Sequence, residues 1–97
     1  MHLLYAVKGS GIRPIIQELM DKAKEGYNLE HSERFTILLE MINKGYTGEQ
    51  IHEIFRTIPD YNEKKTQYFI DHARKNGYKP YSMKKLLKMV KTWEVKI

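Results

Sequence analysis

Residues 31–44 read HSERFTILLEMINK, and the fold turns on how this stretch is read. It opens on His31-Ser32-Glu33-Arg34 and becomes an apolar-periodic run that puts Phe35, Leu38, Leu39 and Ile42 on one face. Apolar residues three and four apart are the pattern of an amphipathic helix with one face in a core. His31 or Ser32 is placed to cap it, since a side-chain acceptor satisfies the free N–H groups of a first turn. Gly45 stops it, and Lys44 stands at the negative end of the helix dipole. A basic, hydrogen-bonding head directly before an apolar helix is expected to be both the centre of the core and the edge of a site.

The flanking sequence supplies more helices. On the N-terminal side, Gly9-Ser10-Gly11 separates a short apolar start, MHLLYAV, from the first helix. Pro14 suits a first helical turn, where its missing N–H is not needed. Ile15, Ile16, Leu19 and Ala23 continue at helical spacing until Gly26, and Tyr27-Asn28-Leu29 forms a short link. On the C-terminal side, Thr47-Gly48-Glu49-Gln50 is a Thr-x-x-Gln capping box, a specific helix start. Ile51, Ile54, Phe55 and Ile58 come next at i, i+3, i+4, i+7, and Pro59 ends that helix. Asp60-Tyr61-Asn62 is a turn with Asn62 as N-cap. The next helix runs to Asn76-Gly77 and buries Thr66, Ile70 and Ala73, with Phe69 at the edge. Lys65, Tyr68, His72 and Lys75 then share a neighbouring face. Tyr78-Lys79-Pro80-Tyr81 is extended, because a residue before proline is pushed out of helical geometry. Ser82 caps a last helix with Leu86, Leu87, Val90 and Trp93 facing inward and Lys84, Lys85, Lys88 and Lys91 toward the other side. No strand alternation, repeat or linker interrupts the pattern. The expected architecture is all-α, a small bundle of four to five short helices forming one domain over residues 1–97.

Composition narrows the function. The chain has 97 residues, enough for one core, and 41% of them are hydrophobic, above the range of a disordered tail. There are no cysteines, which excludes disulfides, thiolate metal sites, iron–sulfur ligation and a cysteine nucleophile. The lack of cysteines also fits an intracellular protein; no apolar run has the length of a membrane span, and MHLLYAV is too short for a signal peptide and lacks its charged start. The net charge of +5 is unevenly placed. From Arg74 onward there are eight basic residues and one acid, whereas the first 73 residues hold nine basic and eleven acidic ones. Such asymmetry fits a polyanion partner, nucleic acid or nucleotide phosphates, or else a solvated Lys-rich helix.

Catalytic signatures are missing. Gly9-Ser10-Gly11 has neither the Lys-Ser/Thr of a P-loop nor the spacing of a dinucleotide fingerprint. His2, His31, His52 and His72 are not paired at metal-ligand spacing, and His52, off its helix's apolar face, is expected to be solvated. The carboxylates are scattered, mostly on polar faces, with no pair suited to metal-dependent phosphotransfer. Two constellations remain. Arg34 and His31 at a helix start combine a guanidinium fork, free N–H groups and the positive dipole end, which favours a phosphate. The alternative is that Arg34 pairs with Glu30 or Glu33 and His31 is an ordinary cap. Tyr68 and His72, four apart on one helix, offer a ring to stack on a base and an imidazole for a phosphate, or else an interfacial tyrosine at the core's edge. The lysines Lys84, Lys85 and Lys88 would attract any polyanion.

In order and spacing these residues resemble the C-terminal domain of the large, non-catalytic subunit of archaeal and eukaryotic DNA primase. The shared segments are Leu29-x-His31-x-x-Arg34-Phe35 with its helix ending at Gly45, Thr47-Gly48-Glu49 leading to Phe55, and the turn Pro59-Asp60-Tyr61-Asn62. They continue with Tyr68-x-Ile70-x-His72 and with Tyr78-x-Pro80-x-Ser82. The likeness spans about residues 14–85. The family carries an iron–sulfur cluster on four cysteines. Here Ile15 follows Pro14 where the first belongs, Met83 replaces the second, and no third or fourth is present. The chain therefore resembles the cluster-less relatives, the PriX-type third subunit of archaeal primases or the helix-bundle domain of plasmid primase-polymerases. A further departure is Phe69, where the family usually has Asn or Gln.

The resemblance implies an accessory part of a DNA primase, not an enzyme on its own, in an archaeal cytoplasm near the nucleoid. It implies primase catalytic and large subunits as partners, with single-stranded DNA template and a ribonucleotide triphosphate with magnesium as ligands, and no resident cofactor. Carried over, Arg34 and His31 hold triphosphate or template phosphate, His72 adds a phosphate contact, and Tyr68 stacks or walls the site. Lys65 and Lys44 are added by proximity along their helices. Two other readings are a general helical DNA-binding module using the Lys-rich last helix, and a structural subunit that only docks onto primase.

Overall fold

The computed structural model describes the backbone over residues 11–95 and side chains as far as Met89. The expectations for residues 1–10, and for Val90, Lys91 and Trp93 as side chains, lie outside it. Five helices succeed one another: α1 Pro14–Lys24, α2 His31–Asn43, α3 Gly48–Phe55, α4 Glu63–Asn76 and α5 Met83–Val95. No strand occurs among the described residues.

Local chemistry sets the boundaries. Pro14 opens α1 behind an extended Arg13, and Ile16, Leu19, Met20 and Ala23 form its buried stripe. In α3, Gln50 N–H donates to Thr47 Oγ1 at 3.1 Å and Thr47 N–H donates to Gln50 Oε1 at 2.9 Å, the reciprocal bonds of a capping box. Lys65 N–H donates to Asn62 Oδ1 at 2.9 Å at the start of α4. Lys85 N–H donates to Ser82 Oγ at 3.2 Å at the start of α5. Gly45 takes φ +84°, which lets Tyr46 N–H reach back to Met41 C=O at 3.0 Å and close α2. One cap differs from expectation. Neither His31 nor Ser32 caps α2; Glu30 is the N-cap and forms a capping box with Glu33, whose Oε1 accepts from Glu30 N–H at 2.6 Å.

Helix α2 is the axis of the bundle, packed by α1, α3 and α4. Its burial is therefore wider than one face. Ile37, Leu38, Leu39 and Met41 are all in the core, while Phe35 and Ile42 are only half-buried at its margin. Thr36 and Glu40 are buried as well, so the expected stripe of Phe35, Leu38, Leu39 and Ile42 is only half correct. A helix surrounded on three sides loses its polar face. Around α2 the core is completed by Ile51, Phe55 and Ile58, by Ile70 and Ala73, and by Leu86 of α5. Leu87 points outward with 54% exposure, against expectation.

Two buried polar groups are unexpected. His52 is buried, not solvated: Nδ1 lies 2.7 Å from Tyr61 Oη and Nε2 lies 2.7 Å from Gln67 Oε1. The turn and α4 fold over the side of α3 that carries it. Glu40, in the middle of α2, is met by Arg13 through the backbone N–H at 3.0 Å and Nε at 3.2 Å to Oε2, and through Nη2 at 2.7 Å to Oε1. Burial pushes the Glu40 carboxyl up, but the hydrogen bonds and charge of Arg13 outweigh it and hold the group below its ordinary value. The hydrogen bond to Glu40, partly opposed by desolvation, raises the Arg13 guanidinium above its own.

Candidate functional site

The start of α2, the turn at 58–62 and the first turns of α4 enclose an open groove of about 1020 Å³. His31 and Arg34 line it from α2, and Lys65 and Tyr68 from α4, with Asn28 and Asp60 contributing polar groups from the links. A second cleft, about 620 Å³, lies beside it and is lined by His31, Phe35, Phe69, His72, Tyr78 and Tyr81 among others. His31, Phe35 and Phe69 belong to both. They form a ridge, with Phe69 edge-on to His31 at 5.7 Å and to Phe35 at 6.4 Å between ring centroids. Arg34 and His72 therefore stand on opposite sides of one aromatic ridge, in adjoining clefts.

The guanidinium of Arg34 is held from within the chain. Its Nε donates to Leu29 C=O at 2.9 Å, and Nη2 reaches Asn28 Oδ1 at 2.8 Å and Asp60 Oδ1 at 2.7 Å. Among the described residues its ion pair is with Asp60, whereas the expected partners were Glu30 and Glu33. Those two carboxylates cap α2 instead, so the helix start presents negative side chains where free N–H groups were expected. The anion-favouring groups of the groove are therefore Arg34, His31, Lys64 and Lys65, facing Glu30 and Asp60.

Tyr68 and His72 do come together. Their rings are stacked, 5.7 Å apart and inclined by 13°, as one turn of α4 dictates for residues four apart. Tyr68 is 60% exposed and presents a face to solvent. His72 also meets Tyr78, edge-on at 5.6 Å, and its Nε2 lies 3.4 Å from Tyr78 Oη. Tyr81 leans on Phe35 at 6.5 Å and carries Lys85 Nζ over its ring at 4.9 Å. Tyr78 and Tyr81 on either side of Pro80 thus continue the aromatic surface. Two tyrosines spaced around a proline are the sequence signal for this wall, although by itself that spacing implies only an extended chain.

The remaining basic residues lie elsewhere. Lys44 lines neither cleft; it sits past the far end of α2, about 20 Å along the axis from His31, against Gly11. Lys84, Lys85 and Lys88 are exposed on α5 and also line neither. Lys79, not singled out from the sequence, lines the second cleft.

Fold and clefts together define a small helical domain with one aromatic and basic face. The model of the family described as the C-terminal domain of the eukaryotic and archaeal DNA primase large subunit matches residues 6–96. The chain belongs to that family. It is 40% identical over 67 residues to the DNA primase large subunit PriL of Methanopyrus kandleri, covering 67% of this chain and 16% of that protein. It is 37% identical over 78 residues to PriL of Methanosarcina mazei, covering 77% of this chain and 21% of that one. The chain thus spans about a fifth or less of the length of these relatives. No solved structure matches it. No helix among the described residues is long and apolar enough to cross a membrane.

The residues present do not fit an iron–sulfur cluster. Ile15 is half-buried against the core and Met83 is 42% exposed at the start of α5, and neither is a thiolate. With no cysteine in the chain, the ligands a cluster needs are missing.

Proposed function

We propose that this chain is a non-catalytic part of a DNA primase that holds the 5′-triphosphate of the initiating nucleotide, with its magnesium, beside the single-stranded template and presents both to the polymerising subunit. The observation that carries this reading is the groove between α2 and α4, where Arg34 and His31 face Lys65 and Tyr68. Among the described residues, the bonds of Arg34 use Nε and Nη2, which leaves Nη1 as the nitrogen proposed to meet the phosphate. Lys65 and His31 add charge and a donor for phosphate oxygens. Tyr68 supplies an exposed ring for a base, and His72 a contact for the next phosphate across the ridge. Lys84, Lys85 and Lys88 form a separate basic patch that draws in the template backbone. Chemistry is left to the partner. Fixing two reactants in one geometry lowers the entropic part of an initiation barrier without any proton transfer by this chain.

The test compares Arg34→Ala and Arg34→Lys in the assembled primase. Arg34→Ala is expected to weaken binding of a 5′-triphosphate oligonucleotide by about 10-fold or more. Initiation should fall with it, while elongation and helicity stay unchanged. Equal anisotropy curves for 5′-triphosphate and 5′-hydroxyl probes, or unaltered initiation, would overturn the reading. A structural role is favoured by one observation, the three internal partners of Arg34. It predicts that Arg34→Ala lowers the melting temperature and leaves triphosphate preference absent throughout.

A further inference from the structure

We propose that Arg13 and Glu40 form a clasp that cross-links the start of α1, the middle of α2 and the segment before α5, and so positions the aromatic wall of the second cleft. Glu40 is 1% exposed in the middle of α2, within the apolar run Ile37-Leu38-Leu39-Glu40-Met41. An acid there is costly unless both oxygens are satisfied. Arg13 satisfies them with three donors, and the same Nη2 that meets Oε1 also donates to Tyr81 C=O at 2.8 Å. One side chain thus joins the start of α1, the middle of α2 and the segment before α5. The joined residues are 27 and 68 positions apart in sequence, so the contact closes long loops, as a cross-link does.

The second anchor of the segment is Asn43, whose Nδ2 donates to Tyr78 C=O at 2.9 Å. With both carbonyls held from α2 and Arg13, the Tyr78 and Tyr81 rings are set against Phe35. Arg13 and Glu40 are positioning residues: they reach the cleft only through Tyr81. The proposal stands whether or not the clefts take nucleotide.

The test uses the full chain with Glu40→Gln, Arg13→Met and the double variant Arg13→Met/Glu40→Leu. Two readouts are needed, the melting temperature and the nuclear Overhauser contact between the Phe35 and Tyr81 rings. Each single variant is expected to melt roughly 10 °C or more below the parent and to lose the ring contact. The double variant, in which an apolar pair replaces the ions, should recover most of the melting temperature without recovering the contact. Single variants that melt within about 2 °C of the parent would overturn the clasp. A double variant that keeps the Phe35–Tyr81 contact would overturn the positioning role, even where a single variant fails to fold.

Discussion

At the scale of single residues, the groove is governed by competition for Arg34. Asp60 is largely exposed and its ion pair with Arg34 is worth about 0–1 kcal/mol. A triphosphate carries more charge than one carboxylate and offers more acceptors. Asp60→Asn should therefore raise affinity for a 5′-triphosphate probe several-fold while hardly moving the melting temperature, as anisotropy and thermal denaturation would register. His52 behaves in the opposite way. The buried ring bonds outward through both nitrogens, to half-buried Tyr61 and exposed Gln67, so His52→Ala removes both bonds and empties a buried site. We expect a loss of about 1–3 kcal/mol in urea denaturation. Neither feature was legible in sequence. His52 is off its helix's apolar face, and only the turn and α4 closing over it make that face an interior. Glu40 left a trace, an acid inside an apolar run, but its partner lies 27 residues away. Its protonation has a direction that can be checked. Glu40 is held below its ordinary value, so its contribution is complete above about pH 4.3 and is lost as pH falls through the folded-state value. Stability measured from pH 7 to pH 2 should fall less steeply at the acid end in Glu40→Gln than in the parent.

At the scale of elements, what could be read was what is encoded locally. The Thr47–Gln50 box, the Asn62 and Ser82 caps, Pro14 at a first turn and the stop at Gly45 all involve residues within a few positions of each other. The buried stripe of α4 was also legible, because that helix has one buried face. Helix α2 departs from expectation at its margins for a geometric reason: it is enclosed by three neighbours, and periodicity can report only one. The consequence is measurable. Ile37→Ala, at 0% exposure, should cost about 2–5 kcal/mol in denaturant unfolding, and Ile42→Ala distinctly less. The turn after α4 is sensitive in another way. Gly77 has φ +62°, and Tyr78 N–H returns to Ala73 C=O at 3.2 Å, which aims the chain into the cleft wall. A side chain there would strain the turn that delivers Tyr78.

At the scale of the whole molecule, the lysines of α5 stand apart from the basic groups that line the clefts. Lys84, Lys85 and Lys88 lie on α5 and line neither cleft, although Lys85 touches the second one through the Tyr81 ring, so bulk attraction is varied largely apart from the Arg34 groove. Replacing the three lysines by Gln should lower the slope of log affinity for single-stranded DNA against log salt by about 2, with triphosphate preference retained. Arg34→Ala should do the reverse. The assembly of the clefts themselves could be anticipated only in outline, because Phe35, Phe69, Tyr78 and Tyr81 meet from three separate segments. The ridge of His31, Phe35 and Phe69 has a consequence for shape. Arg34 lines one cleft and His72 the other, with the ridge residues common to both. If the proposed reading holds, a molecule that engages the two at once crosses a ring edge, and a chain able to bend between one phosphate and the next is expected to bind better than stiff duplex of the same charge.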